Sequence, residues 1–250
     1  MKRSNIEDLG DFHYLVHGRH GHFLANKNDV YVGGALITYG EFSELETEVF
    51  RKFIDKNTTV VEVGANIGAH TVWLAKNARK VIAIEPQPFI YYTLCAQIVL
   101  NSLQNVRCIN AGCGEHSGTI EVPVLDYSKK DNYGGIELER KYESTIKVPL
   151  ITLDSLLEDV EGKVFLKIDV EGMELSVLKG GLQLIDTHKP IMYVENDRAD
   201  KSKALLDFIH FHLGYKIEQH VPFLFNEDNF FRKGENKYPT LASFNEICYP

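Results

Sequence analysis

From residue 59 onward, short unbroken apolar runs alternate with segments whose apolar residues recur every three to four positions. Thr59–Val63, Val81–Ile84 and Val106–Asn110 have the first pattern, and Ala69–Asn77 and Phe89–Asn101 the second. A strand apolar at consecutive positions is covered on both faces, and strand–helix alternation places such strands parallel. The alternation resumes at Val164–Ile168, Met173–Lys179, Ile191–Val194 and Lys203–His212. Ahead of it, Leu45, Val49, Phe50, Phe53 and Ile54 share one helical face. Ser43 reads as the N-cap of that helix, with Glu46 closing a capping box. Residues 20–41 are short alternating runs broken by Gly and Asn, which predicts a small β-ribbon.

Residues 118–124 and 145–151 predict strands joined by a polar surface loop. Tyr215–Gln219 and Phe223–Phe225 predict a hairpin around Val221-Pro222, with Leu241–Cys248 as a last strand. The expected architecture is α/β: a doubly wound, mostly parallel seven-stranded sheet with one antiparallel strand. Residues 1–42 form an N-terminal β-ribbon or cap segment and residues 43–250 the main domain.

Composition narrows the function classes. The 250 residues are 44% hydrophobic and 25% charged, with a mean hydropathy of -0.18, so one sizeable core is within reach. A formal net charge of -8 disfavours nucleic acid as a partner, because non-specific binding needs Lys and Arg at phosphates. Four cysteines without a C-x-x-C pair fit neither a disulfide scaffold nor structural zinc. No signal-type apolar region opens the chain and no run is long enough to span a bilayer, so a cytoplasmic location without a transmembrane segment is expected.

The candidate chemistry begins at VVEVGANIGAHT (residues 60–71), a strand running into a glycine turn and then a helix. Ligands of open α/β sheets bind outside the carboxyl ends of the strands, where this turn belongs. A dinucleotide motif needs G-x-G-x-x-G, but Asn66 stands at its second glycine. A phosphate-binding P-loop needs G-K-[ST], but Ala69 and His70 follow Gly68. S-adenosylmethionine (SAM) has no phosphate, and its ammonium suits a carboxylate at Glu62. Glu85 closes the next strand, 21 residues after Gly64, the usual distance for an acid that binds ribose hydroxyls.

With these motifs the chain resembles the FkbM-type SAM-dependent methyltransferases. The resemblance runs from NKNDVYVGGALITYGEFSELE through VEVGANIGAHT, IEPQP, ITLDSL and LKIDVEGMELSVLKGG to PIMYVEN, and D-V-E-G-x-E is its most specific segment. It implies a class I methyltransferase (Rossmann-like) fold and methyl transfer to a hydroxyl, of sugars, glycolipids or polyketides. By the same resemblance Glu62, Gly64, Asn66 and Gly68 match the SAM-binding turn, and Glu85 the ribose acid. Ala111 lies where such folds contact adenine. Tyr39, Gly40 and Glu41 match a segment that closes over the cofactor.

Asp169 and Glu195 end neighbouring strands and should face one cleft beside the transferred methyl, with Asp169 counted among the cofactor contacts as well. A weakly acidic hydroxyl needs its proton removed as it attacks, by a carboxylate or a His, and His220 in the aromatic tail HVPFLFNEDNFF is a second candidate base. Phe225, Asn226 and Asn229 read equally as sugar contacts or as hairpin packing. Asp169 with Glu195-Asn196 also resembles the metal ligands of catechol-type O-methyltransferases. Glu replaces their second Asp, and Gly172 stands where they carry a catalytic Lys. A Mg²⁺ requirement is therefore not favoured, and no metal ligand is assigned. Glu171 and Glu174 read as carboxylates at a helix N-terminus, and His70 as a helix-start residue that either contacts the SAM carboxylate or, the favoured reading, is solvated. The expected partner is a saccharide or glycoconjugate, with a homodimer left open. Two other functions remain: a non-catalytic SAM-binding module, and an NAD-dependent oxidoreductase, which lacks its Tyr-x-x-x-Lys pair.

Overall fold

The computed structural model describes residues 4–137 and 141–250. The chain opens with a three-stranded antiparallel ribbon of β1 (Ile6–Asp8), β2 (His13–His17) and β3 (His22–Asn26). Two helices follow, α1 (Val32–Tyr39) and α2 (Glu44–Phe53). The alternation then runs β4 (Thr58–Val63), α3 (Thr71–Asn77), β5 (Lys80–Ile84), α4 (Pro88–Leu100) and β6 (Val106–Ile109). A small sheet of β7 (Gly112–Cys113), β8 (Gly118–Pro123) and β9 (Thr145–Ile151) interrupts it. After a 3₁₀ segment at Leu153–Asp159 come β10 (Lys163–Ile168), α5 (Glu174–Lys179), α6 (Leu182–His188), β11 (Ile191–Glu195) and α7 (Ala199–Asp207). A π-helical turn extends α7, and β12 (Lys216–His220) and β13 (Asn245–Tyr249) end the chain.

The main sheet has the order β12-β13-β11-β10-β4-β5-β6. All pairs from β11 to β6 are parallel, and β13 is antiparallel to both of its neighbours. The expected seven-stranded sheet with one antiparallel strand is present. Strand order reverses at β4, so β4 and β10 flank the switch point where such sheets bind ligands.

Side-chain alternation sends each strand's residues to two cores. Val60, Phe165 and Tyr193 pack with Phe50, Trp73 and Leu74 under α2 and α3. Leu166, Ile168, Met192 and Val194 pack with Leu178, Leu184 and Ile209 on the opposite face. Two residues later on the α2/α3 face, period 2 places Glu62 and Lys167, which lie opposite each other in the β4–β10 register. A charged pair thus sits in the row that continues the core.

Three expectations about local structure are corrected. The ribbon lies at residues 6–26, and residues 32–39 are helical. Val32, Ala35, Leu36 and Tyr39 are buried at helical spacing, and Asp29 accepts hydrogen bonds from the Tyr31 and Gly33 amides at 3.1 and 2.9 Å. Gly33 breaks the pattern because a Cβ there would lie 2.3 Å from the Asn26 carbonyl oxygen, so α1 packs directly on the end of β3. Ser43 does not build a capping box. It is left-handed (φ 44°), and its hydroxyl donates to Glu46 Oε1 at 2.7 Å. The tail does not form the expected hairpin either. Phe223 makes a single bridge to Ala242, and β12 pairs with β13 instead.

Candidate active site

A cavity of about 400 Å³ opens at the carboxyl ends of β4, β5, β10 and β11. Its walls also take residues from the 132–137 loop, from Leu224 and from residues 241–243. Among the residues expected to hold the methyl donor, Glu62, Gly64, Asn66, Glu85, Ala111 and Asp169 line it. Gly68 does not. It shapes the turn from beneath, with φ 86°.

The turn owes its composition to backbone geometry. Asn66 has φ 51°, a left-handed conformation that Asn tolerates better than most residues. Gly64 has φ 83°, and a Cβ there would lie 1.7 Å from the Asp169 carbonyl oxygen. The Asp169 amide in turn donates to the Val63 carbonyl at 3.0 Å. The glycine therefore lets β10 close onto β4, which brings Asp169 to the turn.

Glu85 is buried and accepts from the Asn66 amide at 3.0 Å and the Gln87 amide at 2.9 Å. Each oxygen keeps a second lone pair. Burial pushes its pKa up to about 7. Glu62 is likewise buried and pushed up to about 7, with Thr71 Oγ1 donating to it at 2.6 Å. Ile84, Pro86, Ala111 and Val170 supply apolar wall. Gln87 Nε2 donates to the Tyr133 carbonyl at 2.9 Å, which ties the covering loop to the end of β5. Two buried acceptor carboxylates that share one cavity with apolar wall residues suit a cationic, ribose-bearing molecule, so these residues fit SAM.

The second half of the cavity is a cluster of carboxylates. Asp169, Glu171 and Glu195 bring oxygens within 4.8 Å of one another. Lys167, 3% exposed, donates to Asp169 Oδ2 at 2.8 Å. Burial works against the Asp169 charge, but the lysine beside it holds its pKa below the ordinary value. Glu195 is pushed well above the usual carboxylate range by burial and by Asp169, and its Oε2 has no hydrogen-bond partner. Glu171, left-handed at φ 55°, is pushed up to about 8 by burial and pairs with Arg198. Arg198 also lies 3.4 Å from Glu137 and 3.5 Å from Asp197. Lys167 and Arg198 already compensate two of the three carboxylates. A divalent cation bound by the same carboxylates would meet the like charge of Lys167 and Arg198.

Several sequence-derived placements change. His70 is not solvated. It is 6% exposed, lies 5.5 and 5.4 Å from the rings of Phe42 and Phe50, and burial lowers its pKa to about 3. Glu41 is buried outside the cavity. It accepts from Arg19 Nε at 2.6 Å, Asn226 Nδ2 at 2.9 Å and the Phe230 amide at 2.7 Å, so it fastens the tail to the N-terminal segment. His220 is also outside the cavity, with its Nδ1 2.8 Å from the Tyr193 hydroxyl. Phe225 packs on Tyr39, and Asn226 and Asn229 hold the tail's own backbone and Glu41. Glu174 accepts from the Gly172 and Val170 amides at 2.9 and 3.2 Å, a structural role. Of the 126–143 loop, residues 138–140 lie outside the described residues, while Gly134–Glu137 line the cavity. Sequence reading missed Lys167 and Glu46. The signal for Lys167 is a lysine inside the apolar run VFLKI, and for Glu46 an acid on the buried side of α2.

The family profile of the Methyltransferase FkbM domain matches residues 62–217. The chain belongs to the FkbM methyltransferase family. Methyltransferase sdnD of Sordaria araneosa is 27% identical to it over 161 residues, 51% of this chain and 61% of that protein. The probable ribosomal RNA small subunit methyltransferase A of Methanosphaera stadtmanae is 46% identical over 56 residues, 22% of this chain and 21% of that one. The chain spans less than two thirds of the length of either relative. Among solved structures, Trm5b from Pyrococcus abyssi superposes with a TM-score of 0.51 at 15% identity, over 97% of this chain and 57% of that one. That likeness shows the fold, which this FkbM-family chain shares. Among the described residues no helix is long and apolar enough to cross a membrane.

Proposed function

We propose that this FkbM-family chain transfers a methyl group from SAM to a hydroxyl of a saccharide or glycoconjugate. The observation that carries the reading is the Asp169 carboxylate at the switch point, in the cavity and within 4.8 Å of the Glu195 carboxyl. Glu62 would hold the donor's ammonium, Glu85 its ribose hydroxyls, and Ile84, Pro86 and Ala111 its base. When bound, SAM supplies an electrophilic methyl on a sulfonium. Asp169 accepts the proton of the acceptor hydroxyl as the oxygen attacks, and Glu195 orients that hydroxyl. The acidic lining favours uncharged polyols over phosphate-bearing acceptors.

Tritium transfer from methyl-labelled SAM tests this. Label should enter a lysate glycan fraction, and EDTA should leave the rate unchanged. Label confined to the RNA fraction, or none at all with SAM bound, would overturn the acceptor class or the activity.

Donor binding should depend on pH. The Glu62 and Glu85 pKa values are raised to about 7, above the ordinary 4.5. Their contribution to ligand-free stability is present below about pH 4.5 and lost as pH rises through about 7. The donor's ammonium favours the ionised form, so affinity should fall by up to about tenfold per pH unit below about 7 for each coupled group. Calorimetry at pH 6 and pH 8 should find tighter binding at pH 8. Equal affinities would separate Glu62 from the ammonium.

A further inference from the structure

Lys167 is a buried ammonium inside a parallel sheet, and the proposed reaction as described gives it no part of its own. Its side chain is 3% exposed and lines the cavity. In register it stands between Glu62 on β4 and Tyr193 on β11, and Glu46 reaches it from α2. A lysine in such a place is costly unless its charge is matched. Here three carboxylates match it, and a hydrogen bond of 2.8 Å selects one of them, Asp169.

We propose that Lys167 is a positioning residue: its ammonium fixes the rotamer of Asp169 and keeps that carboxylate charged and turned into the cavity, toward the acceptor. This rests on the reading of Asp169 as the base. Two other roles for Lys167 fit less well. It cannot be the base, because burial is outweighed by Asp169, Glu62 and Glu46, which together hold its pKa above the ordinary lysine value. It is a poor partner for the donor's carboxylate, because three carboxylates already surround it and a fourth would be repelled.

The neighbours explain why a cation is needed there. Glu195 faces Asp169 from β11, Glu171 from the loop after β10, and Glu62 and Glu46 from β4 and α2. His70, at the start of α3, adds a smaller favourable charge interaction with Asp169 although burial lowers its own pKa to about 3, and a Glu195 hydrogen bond adds less again. Arg198 is engaged by Glu171, Glu137 and Asp197. Among these described residues Lys167 is the cation hydrogen-bonded to Asp169, and without it the proton should shift onto Asp169.

The test follows the Asp169 carboxyl by carbon NMR in protein labelled at aspartate, with its signal assigned by its loss in Asp169→Asn. In Lys167→Met the Asp169 midpoint should rise by about 1–3 pH units, the usual effect of removing an opposite charge at this range. The acid limb of tritium transfer into the glycan fraction should rise with it, measured at saturating SAM because loss of the lysine charge also raises Glu62 and weakens donor binding. Lys167→Arg should keep both midpoints near the parent values. If Lys167→Met does not fold, Lys167→Gln keeps a donor without the charge and carries the same expectation. An Asp169 midpoint that stays put in the uncharged variant, or that moves as far in Lys167→Arg, overturns the proposal. Parent-level transfer by Asp169→Asn would instead overturn the reading of Asp169 as base and leave the NMR result standing.

Discussion

Asp169→Asn should lower methyl transfer by about 10²–10⁴-fold, the usual contribution of a positioned general base, with SAM still bound. Glu195→Gln should cost less, within about tenfold. The difference follows from the opposite directions in which the two carboxyls are shifted. Asp169 is ionised beside Lys167, so the amide removes both the proton acceptor and the lysine's partner. Burial and the Asp169 charge push the Glu195 pKa well above the usual carboxylate range, and glutamine reproduces its protonated form in shape and hydrogen bonding. Transfer rates at saturating SAM, with calorimetry to confirm donor binding, measure both. A larger loss in Glu195→Gln than in Asp169→Asn would reverse the assignment of base and orienting residue.

The main sheet was legible in the sequence because its strands obey one rule: both faces are covered, so apolar runs mark them. The candidate site was legible where chemistry requires a residue type at a strand end, as at Glu62, Glu85, Asp169 and Glu195. It was illegible where function depends on what packs beneath. Lys167 is hidden because a single lysine in VFLKI looks like a tolerated surface position. Only the register that sets it opposite Glu62 shows that two embedded charges meet. Glu46 was read as a capping residue because its spacing from Ser43 is right for one. The left-handed Ser43 turns that pair into a side-chain contact at the cavity wall. His220 and Glu41 were assigned from residue type and neighbourhood in sequence. Their side chains are consumed by Tyr193 and by the tail, which no local pattern encodes.

The polar residues on the α2/α3 face give the site its rigidity. Glu62, Lys167 and Tyr193 are cross-strand neighbours on β4, β10 and β11, and Glu46 and His70 close over them from the helices. A layer of this kind is stable only while its members satisfy one another, since each unpaired charge there costs several kcal/mol. Removing one partner therefore disturbs the others. Single-residue losses at Glu46, Glu62 or Lys167 need the charge-preserving or isosteric controls used above before any of them is read as a contact with a ligand.

Gly64→Ala should be among the most damaging single-methyl additions to the chain. The new Cβ would meet the Asp169 carbonyl oxygen at 1.7 Å, with a φ of 83° that alanine rarely adopts. The obstacle is backbone, so relief requires β10 to move away from β4 at the point where Asp169 is presented. A loss above about 4 kcal/mol is expected, which in a chain of this size lowers Tm by more than about 8 °C. Gly68→Ala shares the left-handed strain (φ 86°), but its Cβ meets the end of the Leu94 side chain at 2.7 Å, which can rotate. It should cost about 1–3 kcal/mol. Gly118→Ala, with nothing within 4 Å, should stay within about 0.5 kcal/mol of the parent. Thermal melts of the three variants give the order directly. Were Gly64→Ala no worse than Gly68→Ala, the close approach of β10 to the turn would not be what requires the glycine. The motif would then owe its first glycine to the ligand rather than to the strand that carries the base.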